Sequence, residues 1–445
     1  MKKVDALRKK YPRFVYKKYS YEKSGNDLII SFIFETGDLR FAPQIKIKNA
    51  GPLPTIDNLV FNLGLIESLS YWKATGSPEI IIEAGNLNKE QIKWWQDLIK
   101  KGMGQFFYEN KINFKNFVKI TCPGKDKVIA PLSRNLKKRT LIPLGDGKDS
   151  LTTLNIIKEP TACFSLNPTA TTGKILQNQN SIIVDRKIDP NLLELNRKGY
   201  LNGHTPFSAY LAFLTVLCGV VFDYKYIALS NERSANEGNT EYLGETINHQ
   251  YSKTFSFEKK FRSYCRKYLS TDIEYFSFLR PLYEIQIAKI FSQFKQYHSL
   301  FLSCNEAKKT YSGTKKTSNH WCGNCSKCLF VYAILYPFLP KEEMIKIFGQ
   351  DFFMNKKLLP VMRDLIEPQR VKPWECVGTR EESLIAFYLS WKKSPDSILL
   401  KYWGENIRPQ YSNLEKRAER ILHSWNKQHN LPQQFSALLD KNSLI

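Results

Sequence analysis

Long apolar runs are missing from this 445-residue chain. The longest, Ala209 to Phe222 (AYLAFLTVLCGVVF), falls short of the roughly twenty residues a membrane-spanning helix needs, and predicts a buried helix. The opening segment MKKVDALRKKYPRFVYKKYS has no apolar core of the kind that directs export, so the expectation is a cytoplasmic protein with no membrane insertion. Cysteine is scarce: nine residues are too few for a disulfide scaffold, and three of them are crowded together, which points to a reducing compartment and a metal. Repeats and low-complexity tracts are absent. Acidic residues are outnumbered 42 to 66 by Lys and Arg, so a net charge of +24 favours anionic partners such as phosphate, nucleotide or nucleic acid. A 42% apolar and 13% aromatic content excludes disorder, and the length suggests two or three domains at roughly 150 residues each.

Asp27 to Glu35 (DLIISFIFE) and Phe41 to Ile47 (FAPQIKI) are β-rich runs separated by turn chemistry, which predicts a hairpin. Asn58 to Lys73 and Lys89 to Glu109 carry apolar residues at helical spacing around the strand-like Ile80 to Ile82, making the start of the chain a small α+β unit. From Thr140 the rhythm changes to LIPL, a helix from Lys148, CFSL, IIVD, a helix through Ala209 to Val221, then YIALS. That alternation predicts an α/β fold with a parallel sheet. After Cys328 helical periodicity dominates.

Within Leu141 to Leu154 (LIPLGDGKDSLTTL) a short strand runs through Gly145, Asp146, Gly147, Lys148, Asp149 and Ser150 into a helix. That order gathers main-chain amides and a helix N-terminus around one volume suited to phosphate. Ser150 adds a hydroxyl, Lys148 a cation, and Asp149 either a helix cap or an indirect magnesium ligand. The alternative reading is an ordinary glycine turn with an Asp cap. The spacing is not that of the Gly-x4-Gly-Lys-Ser/Thr loop. It resembles instead the SGG-x-DS loop of the PP-loop ATP pyrophosphatases, with Gly145 in place of Ser and Asp146 in place of the first Gly. A carboxylate at position 146 repels pyrophosphate unless a metal or Lys148 compensates it.

Cys322, Cys325 and Cys328 lie in WCGNCSKC, and Cys304 precedes them at the end of an expected strand, SLFLSC. Four sulfurs with two-residue gaps suit tetrahedral zinc, and a site filled by sulfur leaves no position for water, so a structural role is expected. His320 is the alternative fourth ligand, and an iron–sulfur role is the alternative chemistry. The loop and cysteines together are similar to 7-cyano-7-deazaguanine synthase.

Three polar segments stand beside the expected strands and buried helix: LNGHTPFSAYLAFL from Leu201, ALSNERSANEGN from Ala228, and NHQYSKTFSFEKKFR from Asn248. In an open α/β sheet the ligand crevice lies outside the carboxyl ends of strands, which makes the segment after YIALS a site candidate; capping of turns by Asn231, Ser234 and Asn236 is the alternative. With PLGDGKDS, YFSFLRPL, WCGNCSKCLFV and KPWECVGTREE, these segments resemble the UDP-N-acetylmuramoyl-L-alanyl-L-glutamate epimerase family, across most of residues 140 to 385.

The resemblance implies a PP-loop domain over residues 136–335 carrying the four-cysteine site, between an N-terminal α+β domain (1–135) and a C-terminal helical region (336–445). It implies an isomerase of peptidoglycan synthesis that inverts the terminal L-glutamate of a UDP-MurNAc-dipeptide substrate, UDP-MurNAc-L-Ala-L-Glu. ATP would be consumed to AMP and pyrophosphate, with Mg2+ and a structural Zn2+. Adenylating a carboxylate cancels its charge and makes the neighbouring α-proton removable. On this reading Gly145 to Ser150, Asn231 and Arg233 hold the nucleotide. The proton-transfer candidates are His204 first and His249 second, with Glu232, Glu237 and Lys253 behind them. Phe261, Arg262, Arg266 and Arg280 are candidates for the uracil and diphosphate. The rival reading is a PP-loop tRNA- or deazapurine-modifying enzyme, which the charge also suits. The basic residues are spread along the chain and no RNA-binding module is recognisable, so nucleic acid is not the expected partner.

Overall fold

Strict alternation of burial along DLIISFIFET, where Leu28, Ile30, Phe32, Phe34 and Thr36 turn inward, makes Asp27–Thr36 a strand with one face in the core. A computed structural model describes residues 3–115, 117–124, 129–158 and 161–439. The expected hairpin is present: β2 (Asp27–Thr36) pairs antiparallel with β3 (Leu39–Phe41) and β4 (Gln44–Ile47). The basic opening segment also folds as a strand, β1 (Arg13–Ser24), antiparallel to β2. Its Phe14 and Tyr16 are buried while Lys17 and Lys18 stay in solvent, a pattern that charge alone conceals.

β5 (Glu79–Ile82) and β6 (Lys119–Thr121) continue the sheet on one side of β1. On the other side lie β7 (Thr140–Pro143), β8 (Thr161–Leu166), β9 (Ser181–Lys187), β10 (Tyr226–Leu229) and β13 (Glu274–Ser277). β11 (Thr240–Tyr242) and β12 (Glu245–Ile247) form a separate ribbon. The eleven strands of the main sheet are ordered β13-β10-β7-β8-β9-β4-β2-β1-β5-β6, with β3 beside β2. The five from β13 to β9 are all parallel, and the join is made where β4 pairs antiparallel with β9. The protein is therefore mixed α/β with a mostly parallel sheet, and helices follow Cys328 as expected.

The parallel strands are buried on both faces, as βαβ units require. Along β7, Leu141 enters one core and Ile142 the other; along β10, Ile227 and Ala228 divide in the same way. The first core is filled by α1 (Asp57–Trp72), α4 (Phe207–Val221) and α5 (Phe255–Tyr268). The second is filled by α3 (Lys148–Ile156), α6 (Glu284–Phe291), α7 (Ser326–Leu335) and α8 (Arg380–Lys393). α2 (Lys89–Gly102) also lies with the first core. The apolar run from Ala209 is α4, buried as expected. Among the described residues no helix is long and apolar enough to cross a membrane.

α1 is buried along almost its whole length, so its backbone must approach the sheet closely. Gly64 makes that possible: a Cβ there would overlap the Tyr16 hydroxyl and ring. Gly64→Ala is therefore expected to destabilise the fold by about 1–3 kcal/mol, read as a lower midpoint of denaturant unfolding.

Candidate functional site

β7 is followed in space by β8 and β9 on one side and by β10 and β13 on the other, so the direction of winding reverses between β7 and β10. In a parallel α/β sheet that reversal opens a crevice at the carboxyl ends of the two strands. The loops leaving β7 and β10 are the glycine loop and the segment NERSAN.

Gly147 is the N-cap of α3, extended at φ −90° and ψ 151°, and no side chain caps the helix. The first-turn amides therefore remain available to an anion. Ser150 Oγ turns back to the carbonyls of Gly145 (3.2 Å) and Gly147 (3.1 Å), closing the loop on itself. Asp146 is buried, accepts a hydrogen bond from Thr169 Oγ1 at 3.3 Å, and is ion-paired with Lys308. The compensation expected from a metal or Lys148 thus comes from Lys308, 162 residues away. The Cys304 segment that delivers it is extended but joins no sheet, so the expected strand there is absent; Leu302 N instead donates to Asp146 O at 2.7 Å.

Lys148 is 1% exposed and ion-paired with Asp149 and Glu284. Asp149, Glu232 and Glu284 each bring a carboxylate oxygen within 4.8 Å of the others. Burial alone would raise the Glu284 pKa, but the Lys148 and Lys327 ammoniums override it and hold it below the ordinary carboxylate range. Glu232 moves the other way, raised by burial and by Glu284. Three clustered carboxylates offer the hard oxygen donors that Mg2+ takes. Glu284, at the start of α6, carries no sequence signal that would have found it.

His249 is 7% exposed, and its ring Nδ1 lies 3.0 Å from Asn239 Oδ1. The amide group of Asn239 is oriented by its own bonds: Nδ2 donates to Pro373 O (2.8 Å), and Oδ1 also accepts from His249 N (3.0 Å). Oδ1 can only accept, so the proton sits on Nδ1 and Nε2 presents a bare lone pair, which has no hydrogen-bond partner. Burial first, then the charges of His204 and Lys253, push its pKa well below the ordinary value, so it is neutral at pH 7. His204 lies 6.0 Å away between ring centroids and hydrogen-bonds the His249 backbone. Its pKa is lowered to about 4, by burial and then by Lys73 and Lys253. His249 thus has a nitrogen without a partner, and His204 stands beside it.

Lys253 links this pair to the carboxylates. Burial would lower its pKa, but Cys376 and Glu232 beside it raise it. Asn231 Nδ2 donates to Ser277 Oγ (3.1 Å), and the Arg233 guanidinium stacks 4.3 Å over Tyr283. Glu237 pairs with Lys372 at 3.0 Å, away from the carboxylate group. Arg280 is fully buried and donates to Glu232 O (2.5 Å), Lys253 O, Ser277 Oγ and Glu258, so it braces the site loops and is withdrawn from any diphosphate. Phe261 is likewise buried in the core. Arg262 and Arg266 share Glu274, at 3.0 and 2.8 Å, and line an open basic groove with Lys259 and Lys267.

The sulfurs of Cys304, Cys322, Cys325 and Cys328 fall within 4.8 Å of one another, with Cys322 and Cys328 3.7 Å apart. A tetrahedral ion with Zn–S bonds of about 2.3 Å requires sulfurs roughly 3.8 Å apart, so the set fits. Cys304 is held far below the ordinary thiol range by hydrogen bonds from Cys325 and Cys328. Gly323 turns the chain at φ +68° between the first two ligands of the run. His320 is exposed and stands outside the group.

The MurL N-terminal domain model matches residues 5–278 and the MurL C-terminal domain model residues 300–415. Relatives named UDP-N-acetyl-alpha-D-muramoyl-L-alanyl-L-glutamate epimerase occur in Xanthomonas oryzae pv. oryzae, 30% identical over 375 residues and 81% of each chain, and in Salinispora tropica, 30% identical over 410 residues and 86% of each chain. A third, from a Micromonospora species, is 29% identical over 405 residues, 86% of this chain and 88% of that one. No solved structure matches significantly.

Unfolded histidine binds a proton near pH 6.5, but folded His204 does not until about pH 4, so acidification across that window favours the unfolded chain. His204→Gln is expected to make the loss of thermal stability between pH 6.5 and 4 shallower, by up to about 3 kcal/mol. Melting curves at half-unit pH intervals measure the difference.

Proposed function

This chain belongs to the MurL family, and from that membership we propose that it inverts the terminal L-glutamate of UDP-MurNAc-L-Ala-L-Glu to D-glutamate at the expense of ATP, in the cytoplasm. The observation that carries the proposal is the meeting, at the β7–β10 crevice, of an uncapped amide turn and three carboxylates, with a neutral histidine of bare Nε2 on the neighbouring loop. On this reading the crevice is a PP-loop nucleotide site.

The glutamyl α-carboxylate attacks the α-phosphorus of ATP and pyrophosphate leaves, giving a mixed anhydride with AMP. The amides of Lys148, Asp149 and Ser150 hold the leaving pyrophosphate at the α3 N-terminus. Asp149, Glu232 and Glu284 would hold Mg2+, which supplies Lewis-acid screening of the phosphate charge. Lys148, ion-paired with two of these carboxylates, adds a cation beside the phosphate site. Arg233 and Asn231 face the same crevice from the β10 loop and bind the nucleotide.

Adenylation leaves the α-carbon beside a neutral acyl group. His249 Nε2 then takes the α-proton, the C–H electron pair moving onto the acyl oxygen as an enolate. A proton returned to the opposite face gives the D configuration, and water hydrolyses the anhydride to release AMP. His204 positions His249 through its backbone. Lys253 keeps the site cationic where the enolate charge develops. The UDP moiety has a basic surface in the groove of Arg262 and Arg266. Zn2+ held by Cys304, Cys322, Cys325 and Cys328 is structural.

Incubation with ATP, Mg2+ and UDP-MurNAc-L-Ala-L-Glu is expected to yield D-glutamate after hydrolysis, together with AMP. His249→Gln is expected to lower α-deuterium incorporation from D2O by about 100-fold or more while substrate-dependent ATP–pyrophosphate exchange persists. Unchanged inversion in the presence of a non-hydrolysable ATP analogue would refute adenylation. The purified chain is expected to hold one zinc, and Cys322→Ser to lose it with a lower melting temperature, as metal analysis and calorimetry will report.

A further inference from the structure

Inversion needs a proton to leave one face of the α-carbon and another to arrive at the opposite face. His249 is anchored through Asn239 and offers one bare nitrogen, so alone it returns a proton to the face it came from. A second proton-transfer group is required, and it must lie across from His249.

The segment Lys372 to Cys376 runs between the two places. At its start Asn239 Nδ2 donates to Pro373 O at 2.8 Å, and Trp374 packs against the His249 ring with 6.3 Å between centroids. At its end the Lys253 ammonium donates to Cys376 Sγ at 3.3 Å, and Lys327 Nζ donates to Cys376 O. Trp374, Glu375 and Cys376 bend the chain there, so the ring packed on His249 and the sulfur held by Lys253 lie within three residues of one another on the same turn. Cys376 is a free, partly exposed thiol, whereas His249 is more than nine-tenths buried with its Nε2 unpaired. These two reactive groups are thus carried by one short segment and the loop it is bonded to.

We propose that Cys376 is the second proton-transfer residue of the epimerisation, working opposite His249, and that the Lys253 ammonium stabilises its thiolate. The proposal rests on the epimerase reading above. In the L-to-D direction His249 takes the α-proton, the electron pair goes to the enolate, and the Cys376 S–H delivers its proton to the other face, leaving a thiolate beside Lys253 and an imidazolium at His249. Water carries the proton from imidazolium to thiolate before the next turnover. The reverse direction exchanges the two roles. The sulfur is left in that step beside the Lys253 ammonium, which already donates to Cys376 Sγ at 3.3 Å.

The test uses Cys376→Ala and Cys376→Ser with ATP, Mg2+ and the L- and D-glutamyl forms of the substrate in D2O. Inversion is expected to fall about 100-fold or more in both variants. α-Deuterium incorporation is expected to survive from one epimer and vanish from the other, with substrate-dependent ATP–pyrophosphate exchange within a few-fold of wild type and an unchanged melting temperature. Wild-type inversion in the alanine variant overturns the proposal. So does a parallel loss of deuterium exchange from both epimers, pyrophosphate exchange and thermal stability, which marks a structural contact. The underlying reading fails separately: a wild type that inverts without forming AMP removes adenylation, while one-sided exchange still judges Cys376. A wild type inert toward this substrate removes both.

Discussion

Ionised groups withdrawn from water must neutralise one another, and the crevice is built around that constraint. Lys148, Arg280, Asp146, Glu232, Glu258 and Glu284 are all at most 3% exposed. Removing Lys148 leaves Asp149 and Glu284 without that ammonium in a medium that penalises an unpaired charge heavily. Arg280 satisfies four acceptors on three segments and so fixes where Glu232 and Lys253 stand. Lys148 fills the gap among carboxylates that would otherwise repel each other. The arrangement holds Lys148 and Arg280 against a pocket of negative charge, so the crevice is charge-compensated from within.

What the sequence disclosed followed the range of the interactions involved. Gly145 to Ser150 and the cysteine run are legible because their geometry is set within a few residues: a strand, a glycine N-cap and a helix in one case, a turn at Gly323 in the other. The parallel strands are legible because burial on both faces leaves continuous apolar words such as LIPL and YIAL. Lys308, Glu284 and Asn239 are not, because each acts on a partner at least ten residues away and resembles an ordinary polar residue where it stands. Which nitrogen of His249 is bare is likewise set at a distance, by Asn239 oriented through Pro373. Cys376 lies in a quoted motif, KPWECVGTREE, yet its meaning depends on Lys253, 123 residues earlier.

One helix connects the two clusters. α7 begins within the cysteine site, with Cys325 as its N-cap, and its second residue is Lys327, which reaches both Glu284 and the carbonyl of Cys376. Glu375 closes the same turn, accepting from Ser326 Oγ and Lys327 N. The sulfur cluster is thereby tied through one helix turn to a lysine and a loop of the crevice.

The pairing of β4 with β9 has a mechanical consequence. A ladder of main-chain hydrogen bonds running from β13 to β6 has no seam along which two lobes can rotate, so the catalytic floor cannot open and shut like a jaw. Any movement that opens or covers the crevice therefore falls to the short connections above the strand ends, over an unmoving platform.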